Sequence, residues 1–304
     1  MLLIFLYIFT HYTYADTAQY TFKSINSDHC LETSKDQYAI GAQIPAGPFK
    51  GECLNLESQR NFKYLAQDQR YIKISNFFHD NKYWVARIPV GEVFKRVILQ
   101  IEFFPPEVLA AHTQVRFDLK PGKYLRLDSQ EGKEVKILSS FIISFEAVKV
   151  DSSPRFSLIK GLKNHFAMTA RMFSLQESYK KIVLKQKHKN KQVVLDYNSK
   201  EQEDLFLYFL NRGSDNYQYK EMYNTFDNNC TTEVYEGFEA IRKRPTKTHY
   251  IGPKKTIKKE RNVVHILEFL PSTAVKHTKI LNIFKGFAPP LEDEFDSIEN
   301  IFSY

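Results

Sequence analysis

Residues 112–119, "HTQVRFDL", alternate without a break: Thr113, Val115, Phe117 and Leu119 fall on one side, His112, Gln114, Arg116 and Asp118 on the other. A period of two marks a strand with one apolar face, which has to be buried against another layer. The surroundings agree. "KYWVARIPV" (82–90) and "VILQIEFF" (97–104) are short and rich in β-branched or aromatic residues, "KPGKYLRLD" (120–128) turns at Pro-Gly into a further strand, and "KILSSFIISFEAVKV" (136–150) is the most apolar strand candidate. An aromatic content of 14 % suits such an interior. The expectation is the meander of an antiparallel sheet.

After the turn-forming run Asp151-Ser152-Ser153-Pro154 the pattern changes. Residues 156–179 read as helix and loop and "KQVVLDY" (191–197) as a strand. "SKEQEDLFLYFLNR" reads as a helix capped by Ser199, with Leu205, Tyr208, Phe209 and Leu210 on its apolar side. "DNYQYKEMY" (215–223) reads as a further helical piece. The fold class is therefore α+β, an antiparallel sheet packed against helices.

The opening "MLLIFLYIFTHYTYA" is too short an apolar run for a stable membrane span and ends with small residues at the cleavage-determining positions, Thr13 and Ala15. It reads as a secretory signal cleaved after Ala15, the absence of Lys or Arg near the start keeping an uncleaved anchor open. No later run is long enough to cross a bilayer, so the expectation is an exported, periplasmic chain with no transmembrane span after the signal. The organisation expected is residues 1–15 signal, 16–95 strand-rich, 96–285 a Cys/His domain, and 286–304 an acidic, loosely packed tail.

The net charge of +8 gathers between 242 and 261, a stretch that opens on Arg242 and closes on Arg261. It suits an anionic envelope surface, with a solvated basic loop as the plain alternative; an exported protein gives no reason to expect nucleic acid.

Three cysteines are an odd number. In an oxidising compartment Cys30 and Cys53 can pair, which leaves Cys230 as a free thiol, either inert and buried or used. Behind it Val234, Phe238 and Ile241 recur at helical spacing, while Asn228 or Asn229 can cap. Cys230 then sits in the first turn of an amphipathic helix, where unpaired N–H groups and the helix dipole favour a thiolate and where the N–H groups of residues 230–232 could receive an oxyanion. Acyl transfer from such a thiolate needs a proton donor for the leaving group, most simply a histidine. His188, His249 and His277 lie among lysines and read as solvated. His165 and His265 are neutral candidates, and His112 is held on the polar face of a strand. Asn229-Cys230-Thr231 also fits a glycosylation acceptor. Three scattered cysteines give no paired metal-ligand spacing, so neither metal nor cofactor is expected.

Several blocks, in order, resemble the Lnb N-terminal periplasmic domain family of bacterial envelope proteins. They are "AAHTQVRFDL" (110–119), with Ala111 where glycine is usual; "FIISFEA" (141–147), with Ser144 where asparagine tends to stand; "LIKGLKNHFAM" (158–168); "VVLDYNSKEQEDLFLYFL" (193–210); and "YNTFDNNCTTEVYEGFE" (223–239). The resemblance implies a permuted papain-like core with an N-terminal strand-rich extension, akin to NlpC-type thiol enzymes. Cys230 would be the nucleophile, His112 the general base and acid, and Ser144 the third member orienting the imidazole, with Glu146 as its substitute. Tyr223, Asp227 and Asn229 match the motif and would shape the turn and cap the helix. The family is linked to lipoprotein N-acylation, which makes a phospholipid or lipoprotein the implied substrate and a separate membrane protein a partner for a chain without spans. A cell-wall peptide amidase and a non-catalytic envelope binding or assembly protein remain the alternatives.

Overall fold

The computed structural model describes residues 30, 37–105, 107, 110–153, 156–226, 228–242 and 271–294. The signal segment, Asp227, His249, His265 and residues 243–261 of the basic stretch lie outside them.

The described chain is a mixed α/β fold built on one open eleven-stranded sheet. Its strands are β1 (Lys63–Gln67), β2 (Tyr71–His79), β3 (Lys82–Pro89), β4 (Phe94–Phe104), β5 (Ala110–Leu119), β6 (Leu125–Ser129), β7 (Val135–Leu138), β8 (Ser140–Val148), β9 (Ala167–Ser174), β10 (Asn190–Leu195) and β11 (Phe284–Ala288). They lie in the order β11-β10-β4-β5-β8-β9-β2-β3-β6-β7, with β1 on β2. The pairing is antiparallel except between β2 and β9, which run parallel. The strands before residue 95 thus continue the same sheet, reaching it through β9.

The course of four segments differs from the sequence reading. The run 136–150 is two strands, because β7 closes a hairpin on β6 while β8 leaves it at Ser140 to pair with β5 and β9. Residues 156–179 contain β9, whose eight residues are all buried. A strand covered on both faces loses the alternation that would betray it. Residues 216–223 form no helix: the backbone N–H of Met168 is donated to Glu221 O and that of Tyr223 to Phe166 O, which ties the segment to the start of β9. The part of the acidic tail described here is not loose, since β11 pairs with β10 and Glu294 accepts from Arg96 and Arg116.

The helices are α1 (Leu158–Leu162), α2 (Leu175–Tyr179) continuing as a π-helical turn (Lys180–Lys185), α3 (Ser199–Asp215), α4 (Cys230–Arg242) and α5 (Pro271–Ile280). α3 is capped by Asn198, not Ser199, in a capping box with Glu201. It lays Leu205, Phe206, Phe209 and Leu210 on the sheet, with Tyr208 partly buried against the same core; Phe206 is the addition to the side read from the sequence. Phe206 meets Phe94, Phe117 and Phe141 edge-on, with ring centroids 5.4–5.7 Å apart. The apolar face of β5 is therefore core, as its alternation required. Its polar face is buried too: Gln114, Arg116 and Asp118 join Gln100, Gln192 and Glu294 in one hydrogen-bonded layer. Each of these groups has found partners, which is the condition for burying so many.

Candidate thiol–imidazole site

The pairing of β5 with β8 runs from Asp118–Ser140 to Val115–Ile143 and stops there, although both strands continue. Beyond that point β5 carries His112, β8 carries Ser144 and Glu146, and the start of α4 packs on both strands. Thr113 faces the sulfur, and its N–H helps hold the Cys230 thiol down. Thr113 Oγ1 also donates to Thr231 Oγ1 at 3.3 Å.

Cys230 opens α4. Asn229 caps it: its Oδ1 accepts from the N–H of Thr231 at 2.8 Å and of Thr232 at 3.0 Å, while Thr232 Oγ1 accepts the Asn229 N–H in return. Asn229 Nδ2 donates to Thr225 O at 2.7 Å. Its amide is thus buried and hydrogen-bonded through both oxygen and nitrogen, a poor position for a glycosyl acceptor. Of the three N–H groups expected to hold an oxyanion, those of 231 and 232 are consumed by this cap. The Cys230 N–H instead meets the Tyr223 hydroxyl, which donates to Cys230 Sγ at 3.8 Å.

Cys230 and His112 are close enough for each to set the other's ionisation, by charge and by hydrogen bonding. His112 Nε2 lies 2.9 Å from Ser144 Oγ, which leaves Nδ1 for the sulfur. Ser144 Oγ donates to Glu146 Oε1 at 3.1 Å, and Glu146 Oε1 is 3.9 Å from the imidazole. Ser144 is therefore the direct neighbour of the ring and Glu146 stands behind it. Glu146 in turn pairs with Arg171 at 2.9 Å and Lys181 at 3.5 Å.

The electrostatics follow from these contacts. Burial pushes the Cys230 thiol up, but the His112 charge, the His112 hydrogen bond and the Thr113 and Thr231 donors outweigh it and bring it down to about 7. Burial pushes His112 down, and the sulfur and Glu146 raise it on balance against Lys181. Burial also opposes ionisation of Glu146, yet Arg171, Lys181 and His112 hold it well below the usual carboxylate range. Burial and the sulfur both keep Tyr223 a phenol.

Elsewhere, Cys30 and Cys53 form a disulfide with a Cα–Cα distance of 5.3 Å. His188 is paired with Glu102 at 2.7 Å and His277 is stacked on Tyr235 at 4.1 Å, so neither is merely solvated. His165 packs edge-on against Phe49. Sequence reading misses Arg171, because β9 does not read as a strand, and Lys181, which stands on the π-helical turn. No signal in the spacing ties them to Glu146. Among the described residues no group of three His, Cys, Asp or Glu side chains could hold a metal, and no helix is long and apolar enough to cross a membrane.

Fold and site together define a mixed α/β protein with a buried thiol–imidazole pair, the histidine on a central strand and the later cysteine on a helix tip. Residues 99–260, more than half of the chain, match the Lnb N-terminal periplasmic domain family, and the chain belongs to that family. The family indicates a periplasmic location. Comparison with curated proteins returns no match, and neither does comparison with solved structures.

Proposed function

We propose that this envelope protein is a cysteine-dependent acyltransferase or hydrolase with a permuted papain-like site. The observation that carries the reading is the continuous run Cys230–His112–Ser144–Glu146, anchored on Arg171. In such a site the Cys230 thiolate attacks the carbonyl carbon of an acyl ester or amide. As the sulfur loses its charge the Tyr223 hydroxyl turns from it to the new oxyanion, and the Cys230 N–H that met that hydroxyl is released to the same oxygen. His112 gives its proton to the departing alcohol or amine, leaving a thioester on Cys230. It then takes a proton from an incoming amine or water, whose attack releases the acyl product and restores the thiolate. Ser144 and Glu146 hold the ring for both proton transfers.

Cys230 is 4 % exposed. That burial favours the second reading, a non-catalytic envelope protein with an idle cysteine. Incubating the purified mature chain with phospholipid and a diacylglyceryl peptide, or in parallel with muropeptides, and searching by mass spectrometry for a thioester on Cys230 separates the readings. A fatty-acyl adduct lost in His112→Ala supports lipid or lipoprotein acylation. A peptidyl adduct supports the cell-wall amidase, and no adduct with either supports the idle cysteine.

A further inference from the structure

Large apolar side chains exposed singly are ordinary. Here, of the ten among the described residues, Phe156, Ile159 and Leu162 fall within seven positions, 42 %, 66 % and 37 % exposed. Ile159 and Leu162 stand three apart on α1 and share its outer side, and exposed Lys163 follows four residues after Ile159. The inner side of α1 is fixed. A Cβ on Gly161 would lie 2.2 Å from Thr225 Oγ1, so the helix is seated directly on the loop that leads to Cys230. Phe156 packs edge-on against Tyr223 with centroids 5.7 Å apart, and Tyr223 Oη is 3.8 Å from the sulfur. The exposed patch is thus two side chains from the reactive atom and rigidly attached to its loop.

We propose that Phe156, Ile159, Leu162 and Lys163 form a docking surface for an anionic phospholipid bilayer, bringing the thiol site to the membrane interface. Apolar side chains enter the acyl boundary while lysine stays at the headgroups, and the two together bind anionic interfaces better than either alone. The positive charge beside the apolar cluster favours an anionic occupant over a neutral or basic one, and the family's periplasmic setting supplies an anionic membrane with an apolar interior for the three apolar side chains to enter. The inference deepens the thiol reading by naming where an acyl substrate would be met.

The test is co-sedimentation of the full mature chain with vesicles of phosphatidylethanolamine and phosphatidylglycerol. The variants are Ile159→Ser/Leu162→Ser, Lys163→Glu, and Ile280→Ser as a control at an equally exposed site far along the chain. The double variant should bind at least about tenfold more weakly, given the burial of roughly one aliphatic side chain. Lys163→Glu should lose binding only when phosphatidylglycerol is present, and Ile280→Ser should bind as wild type. All carry the basic stretch 242–261, so undiminished binding by the double variant overturns the proposal. So does a wild-type dimer, seen without lipid, that the double variant makes monomeric. Alkylation of Cys230 by soluble iodoacetamide, measured on the same samples, should be equal in wild type and double variant, which shows that the variant is folded. A Cys230 unreactive at every pH would remove the thiol reading while patch-dependent binding still supported the docking surface.

Discussion

His112 Nε2 lies 2.9 Å from Ser144 Oγ, and the single proton of that hydroxyl is spent on Glu146. The hydroxyl can therefore only accept from the ring, so Nε2 carries a hydrogen and neutral His112 has its free lone pair on Nδ1, facing the sulfur. Serine, shorter than asparagine, still reaches the ring, and the carboxylate stands behind it. Ser144→Ala leaves a buried N–H without an acceptor, at a cost of about 1–3 kcal/mol. It should slow iodoacetamide labelling of Cys230 at pH 7 by roughly tenfold. Ser144→Asn, which restores an acceptor, should label faster than Ser144→Ala.

The thiol and imidazole titrate as a pair, so the rate of labelling against pH reports the pair. In wild type it should rise with a midpoint near the value of about 7 that His112 imposes on Cys230. His112→Ala removes the influences that lower the thiol and leaves the burial that raises it. The midpoint should move above the ordinary free-cysteine value of about 8.5, with a loss of at least about tenfold in rate at pH 7. A profile unchanged by the substitution would separate the two side chains functionally.

Glu146 is held below its ordinary value by Arg171 and Lys181. A depressed carboxyl contributes stability that is fully present above its unfolded value, about 4.3, and is lost as pH falls through the folded one. Melting temperature should therefore drop on acidification below about pH 4.3 in wild type, and Glu146→Gln should lack that component. At pH 7 the variant should be less stable by roughly 3–5 kcal/mol, because Arg171 is left as a buried, unmatched cation.

Much of this arrangement was legible in the residues because local rules agree with the fold. The alternation of 112–119 marks β5, and Asn229 ahead of Val234, Phe238 and Ile241 marks the start of α4. The histidine was harder. Its strand reads as half-exposed, whereas the polar face is covered by residues as distant as Ser178 and Glu294, which bond to Gln114 and Arg116. Nothing local records those contacts. β9 escaped because Ala167–Ser174 is buried on both sides, and Arg171 escaped with it. The helix end at Asp215 is not legible because backbone bonds to Phe166 and Met168, which no periodicity signals, decide the course of 221–223.

Gly161 offers a test of how tightly α1 holds the loop before Cys230. Gly161→Ala should place its methyl group against Thr225, destabilising by about 1–3 kcal/mol in denaturant unfolding. Gly161→Ala with Thr225→Ser, which trims the methyl of Thr225 and frees the hydroxyl to turn away, should recover part of the loss.

Asn229 joins stability to reactivity, and two substitutions pull them apart. Asn229→Ala removes the acceptor that Thr231 and Thr232 share and the donor to Thr225 O, so it should cost at least about 0.5–2 kcal/mol. Asn229→Asp keeps the acceptor for the helix N–H groups, and the dipole favours its charge. It gives up the donor to Thr225 O and sets a carboxylate beside the residue that must become a thiolate. Its melting temperature should therefore exceed that of Asn229→Ala, while its labelling midpoint should rise above that of wild type, since a like charge nearby opposes ionisation of the sulfur. If both variants labelled with the wild-type profile, the helix tip would be a structural feature alone and Cys230 would owe its ionisation to His112 entirely.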